Sequence, residues 1–102
     1  MLSFIKKLFL PSTDINKLLT EGALIIDVRT KAEYEAGHIA GSKNIPLDSI
    51  KNHIAEIKKY SKPIITVCRS GSRSAMAKGI LESNGVQVVN GGSWISLKNS
   101  SK

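Results

Sequence analysis

The sequence predicts a small α/β domain: a mostly parallel central sheet with helices on both faces. Three observations carry that prediction. Short apolar runs of strand length alternate with segments whose apolar residues recur at helical spacing. Glycines stand just beyond the points where those helical segments lose their pattern. The chain is 102 residues long, 41% hydrophobic and 23% charged, which suits one domain with one modest core.

The elements follow in order. Residues 1–11 form a short lead-in in which Phe4, Ile5, Leu8 and Phe9 fall at helical spacing. Its longest apolar run, Leu8 to Leu10, is too short for a signal-peptide core or a membrane span, so a cytoplasmic location is expected. Thr13 and Asp14 suit the N-cap region of a helix carrying Ile15, Leu18 and Leu19, ending near Gly22. Ala23 to Val28 reads as a buried parallel strand. Thr30 caps a short helix through Ala36, with Glu33 three residues on completing a capping box and Gly37 ending it. Lys43 to Pro46 reads as a brief strand closed by proline, and Leu47, Ile50, Ile54 and Ile57 mark the inner face of the next helix.

Ile64 to Val67 is the strongest strand signal in the chain. A helix from Ser72 to Asn84 follows, with Ala75, Met76, Ile80 and Leu81 at helical spacing and Gly85 beyond its end. Val86 to Val89 is the last strand, and Gly91-Gly92 is expected to break the chain before Trp94, a plug for the last short segment. The domain proper is placed at residues 12–97, with a polar tail at 98–102.

The formal charge is +7 and the sequence pI about 9.8. Scattered lysines and only 5% aromatic residues argue against a nucleic-acid binder, which needs a basic stripe with stacking platforms. A solvated lysine-rich surface accounts for the charge, and its field would draw small anions. One cysteine and two separate histidines, His38 and His53, supply neither a disulfide nor a metal cage, so no metal and no cofactor are expected.

The chemistry gathers at Cys68-Arg69-Ser70-Gly71-Ser72-Arg73-Ser74. An apolar strand ends, a thiol follows, and a glycine-containing loop of small residues enters a helix. In parallel sheets ligands bind at the carboxyl ends of strands, where Cys68 stands. Such a loop can turn backbone N–H groups inward around an anion, aided by the positive end of the helix. Cysteines in that setting titrate at about 3.5–7.5 rather than about 8.5, so the expected species at neutral pH is the thiolate. Gly71 supplies backbone freedom, and Arg69 and Arg73 place positive charge at the rim. The competing reading is an inert buried cysteine, common for that residue but at odds with the loop around it.

These motifs resemble the rhodanese homology domain over about Asp14 to Trp94. Ile25-Ile26-Asp27-Val28-Arg29, then Glu33-Tyr34, Gly37-His38-Ile39-Ala40-Gly41-Ser42 and Asn44-Ile45-Pro46, look like the family's first signature. Cys68 to Ser74 resembles the active-site loop and Asn90-Gly91-Gly92 the closing signature. The resemblance implies a rhodanese-like three-layer fold and a Cys68 nucleophile that takes sulfane sulfur from a donor such as thiosulfate. It implies that Arg69 to Ser74 cradle the sulfur and the departing anion. Asp27 and Arg29 would form an ordering polar pair, and His38 a structural turn. Ala40 and Ser42 depart from the family's usual Pro and Ala, and a shortened final helix bears on substrate preference.

Related phosphatases use a loop one residue longer, whereas Cys68 to Arg73 is Cys-x4-Arg, the sulfur-handling length. With no second cysteine to resolve a persulfide, the sulfur must leave to an external thiol, cyanide or protein acceptor. The expected protein is a monomer with a small anionic sulfur donor and no nucleic-acid or membrane-spanning partner. The rival readings are a non-enzymatic binding or sulfur-relay module and, further off, a Cys-dependent phosphatase or arsenate reductase.

Overall fold

The computed structural model describes residues 12–100, so the lead-in at 1–11 and the last two residues lie outside the described residues. The chain runs α1 (Ser12–Thr20), β1 (Leu24–Asp27), α2 (Lys31–Ala36), β2 (Lys43–Asn44), a 3-10 segment (Leu47–His53), α3 (Ile54–Lys59), β3 (Ile64–Cys68), α4 (Ser72–Ser83), β4 (Val88–Ser93) and α5 (Trp94–Ser100). The four strands form one parallel sheet in the order β2-β1-β3-β4. Central β3 is buried along its whole length, which explains its unbroken apolar sequence.

Alternate strand residues feed two cores. Ile26, Val28, Ile64, Cys68 and Val88 pack with Ile50, Ile57, Ala77 and Leu81 on the face covered by the 3-10 segment, α3 and α4. Ile25, Ile65 and Val67 pack with Ile15, Leu18, Leu19, Trp94 and Leu97 on the face covered by α1 and α5. Period-2 alternation thus builds the expected three layers.

Four local expectations change. Helix α1 extends to Ser12, so Thr13 and Asp14 fall inside its first turn. The helix expected from Leu47 begins as 3-10 and turns α-helical only at Ile54, while still burying Ile50 and Ile57. In α4 only Leu81 of the four spaced apolar residues is buried; Ser74 and Ala77 face the sheet instead, and Met76 is 60% exposed. The helix is rotated because Ser74 is bonded into the site and small Ala77 permits close approach. Finally, β4 does not break at Gly91-Gly92 but runs through them to Ser93. A register shift between Thr66 and Val67 pairs Thr66 with Asn90 and Val67 with Gly92, leaving Gly91 as the extra residue. A Cβ on Gly91 would lie 2.7 Å from Ile65 Cγ2 and 3.0 Å from Val67 Cγ1, so only glycine lets the strand cross there.

Candidate active site

Cys68 is the last residue of β3, paired in register with Ser93 of β4, and is 1% exposed. Only Arg69, Ser70 and Gly71 separate it from α4. Gly71 is the N-cap, with φ +103°, a conformation that side chains rarely adopt and that lets the chain turn back over the sulfur. No serine side chain caps α4. The unpaired N–H groups of its first turn point at the thiol instead: Gly71 N–H donates to Sγ at 3.0 Å and Ser74 N–H at 3.4 Å, with Ser74 Oγ also 3.4 Å away. Burial by itself pushes the thiol up. Bonds from the Ser74 hydroxyl and from the backbone of Ser74, Gly71 and Ser70 outweigh burial and hold Cys68 below its ordinary value.

The rim is less uniformly positive than the sequence suggests. Arg69 and Ser70 are exposed, as is Ser72. Arg73 makes a two-pronged ion pair with Glu33 of α2, Nη1 to Oε1 at 2.7 Å and Nη2 to Oε2 at 3.1 Å. Glu33 is held in place by Thr30: the capping box forms, and the Thr30 N–H donates to Oε1 at 2.9 Å. The Arg73 guanidinium, then the Thr30 N–H, draws the Glu33 carboxyl down to about 2. Arg69 makes no hydrogen bond or ion pair with a described residue, which leaves it as the uncompensated cation beside Cys68.

Asp27 and Arg29 lie together under the neighbouring strand end. Asp27 is wholly buried, and its carboxylate accepts Arg29 Nε (2.9 and 3.0 Å), Nη2 (2.7 Å) and the Arg29 backbone N–H (3.0 Å). The guanidinium also donates to the carbonyls of Glu33 and Gly37 and stacks 4.5 Å from the Trp94 ring centroid. The pair therefore fixes the segment that presents Glu33 to the loop. His38 is exposed, bonded through Nδ1 to the Tyr34 carbonyl and stacked on the Tyr34 ring, away from the thiol's own contacts.

Two residues that brace the loop had no site role in the sequence reading. Glu33 was legible as a cap and within the first signature, not as the partner of Arg73, which lies forty positions away in the chain. Asn90 stood in a quoted motif without a role; its side chain bonds Ser74 Oγ, the Gly71 carbonyl and the Gly92 N–H. Among the described residues, no three His, Cys, Asp or Glu side chains cluster to hold a metal. Among them, too, no helix is long and apolar enough to cross a membrane.

Fold and site together define an α/β domain with a cysteine cradled at a helix N-terminus. The chain belongs to the rhodanese-like domain family, whose model matches residues 12–93. It is 43% identical over 67 residues to the protein named Uncharacterized protein YqhL of Bacillus subtilis, covering 66% of this chain and 52% of that one. It is 33% identical over 89 residues to the adenylyltransferase and sulfurtransferase UBA4 of Meyerozyma guilliermondii, covering 78% of this chain and 21% of that one. It thus spans about half the length of the first relative and about a fifth of the second. The crystal structure of a rhodanese-like domain protein from Staphylococcus aureus superimposes with a TM-score of 0.71 at 31% identity, covering 85% of this chain and 86% of that one. The family is sulfur-related, with sulfurtransferases among its named members.

Proposed function

We propose that this protein is a sulfurtransferase that carries sulfane sulfur as a persulfide on Cys68. The observation that carries the reading is the convergence of the Gly71 and Ser74 N–H groups on a thiol held below its ordinary value. The Cys68 thiolate attacks the outer sulfur of a donor such as thiosulfate; the donor's S–S bond breaks and sulfite leaves with the bonding electron pair. A thiol, cyanide or protein acceptor then attacks the terminal sulfur, the new S–S bond breaks, and the thiolate is regenerated. The N–H groups that face Sγ stabilise the anion at both ends of the cycle.

Several features support the reading. Only three residues lie between the nucleophile and its helix, the short loop that, by its resemblance to sulfur-handling members, favours sulfur over phosphate. Arg69 supplies the charge that would attract an anionic donor. The described domain carries one cysteine, Cys68, which fits discharge of the persulfide to a separate thiol, and a cytoplasmic monomer is part of the proposal.

The deciding experiment is intact mass after incubation with thiosulfate, wild type beside Cys68→Ser. The expected result is a gain of one sulfur atom on the wild type alone, reversed by cyanide. No gain on the wild type from thiosulfate or from a small-molecule persulfide would sink the proposal.

A further inference from the structure

The hydroxyl of Ser74 lies within reach of three acceptors: Asn90 Oδ1 at 2.6 Å, the Gly71 carbonyl at 3.1 Å and Cys68 Sγ at 3.4 Å. It has one proton to give. The surrounding bonds decide where that proton goes. Asn90 Oδ1 accepts the Gly92 N–H at 2.9 Å, while Nδ2 donates to the Gly71 carbonyl at 3.2 Å. Turning the amide over would set Nδ2 against the Gly92 N–H and Oδ1 against a carbonyl, so its orientation is determined. The oxygen facing Ser74 is therefore an acceptor, and at 2.6 Å the hydroxyl proton belongs to it. The Gly71 carbonyl already receives the Asn90 amide and the Ala75 N–H at 3.0 Å.

With its proton directed at Asn90, Ser74 Oγ turns a lone pair to Cys68, and the neutral thiol donates to it. The chain then reads Cys68 S–H to Ser74 Oγ–H to Asn90 Oδ1. When the thiol ionises, its proton passes to solvent and the arrangement reverses. The hydroxyl swings to Sγ and becomes a third donor to the thiolate, beside the N–H groups of Gly71 and Ser74. Asn90 Oδ1 keeps only the Gly92 N–H. We infer that Asn90 is a positioning residue for Cys68: its amide competes with the thiolate for the Ser74 hydroxyl and so sets how readily the nucleophile forms. The inference rests on Cys68 being used as a thiolate, not on which donor it meets. Asn90 is also the last residue paired before the β4 bulge, opposite Thr66, and strand alternation puts it on the same face as Val88, the face that α4 covers.

The test is the pH profile of Cys68 alkylation by iodoacetamide in wild type, Asn90→Ala, Ser74→Ala and the double variant. In Asn90→Ala the hydroxyl is released to the thiolate, and alkylation below the midpoint speeds up by about threefold. In the Ser74→Ala background the same Asn90→Ala change has no effect on the midpoint, because the group through which it acts is gone. An unchanged or slower profile for Asn90→Ala overturns the inference, as does an equal shift in both backgrounds. Asn90→Asp covers the case in which the alanine variant does not fold, and it gives up the bond from Nδ2 to the Gly71 carbonyl. Its charge slows alkylation directly, so it is read with and without Ser74→Ala: a larger slowing where the hydroxyl is present is expected, and an equal slowing in both backgrounds overturns the inference. Because alkylation is read, not sulfur transfer, a protein that forms no persulfide still reports on the relay.

Discussion

Replacing Glu33 separates two jobs that one carboxylate performs. Its Oε1 accepts the Thr30 N–H in the capping box of α2, and both oxygens hold Arg73 of α4. Glutamine can still close a capping box but cannot form the ion pair. The pair is about a third exposed on each side, 34% for Arg73 and 33% for Glu33, so solvent screening limits it to about 0.5–1 kcal/mol despite its two-pronged geometry. Glu33→Gln should lose that amount, and Glu33→Ala about 1 kcal/mol more for the cap. At roughly 4–8 °C per kcal/mol for a domain of this size, melting temperatures should fall by about 2–8 °C for Glu33→Gln and by about 6–16 °C for Glu33→Ala. The folded carboxyl sits at about 2 against 4.5 in the open chain. Its value is depressed on folding, so the stabilisation is present in full above 4.5 and is lost as pH falls towards about 2. Thermal melts of the three proteins at pH 7 and again near the low end of that window make the assay. Equal melting temperatures for wild type and Glu33→Gln at neutral pH, or a gap that persists unchanged in acid, would refute the reasoning.

Gly91→Ala should destabilise the domain by about 1–3 kcal/mol, read from urea midpoints, because the new methyl meets Ile65, Val67 and the Thr66 carbonyl at 2.7, 3.0 and 3.1 Å. All three neighbours are fully buried and have no space to yield, so an unchanged midpoint would contradict the bulge geometry. Arg69→Ala should raise the KM for thiosulfate by about three- to fivefold, the worth of one exposed charge, with little change in kcat; no change in KM would remove Arg69 from donor capture.

Much of the fold was readable because it depends on local chemistry. Thr30 and Glu33 form their capping box within four consecutive residues, and β3 declares itself through an apolar run that only a fully buried strand tolerates. The thiol's setting was readable for the same reason, since Cys68, Gly71 and the first turn of α4 are contiguous. The face of α4 was not. Ala75, Met76, Ile80 and Leu81 spread too far around the helix to define one stripe, and Ser74, a polar residue, turned out to face inward. Nor was the path of β4, where paired glycines looked like a break and serve as a crossing.

The sequence by itself determined the α/β class, the order of the elements and the cysteine around which the site is built, because periodicity, caps and turn residues act over a few positions. Tertiary structure alone decided which groups surround that cysteine. Arg73 meets Glu33 across forty positions and Ser74 meets Asn90 across sixteen, contacts that exist only once the strands have paired in register and α4 has packed on the sheet. Charge at the rim and the competition for one hydroxyl proton are properties of distance in space, and no pattern along the chain encodes them.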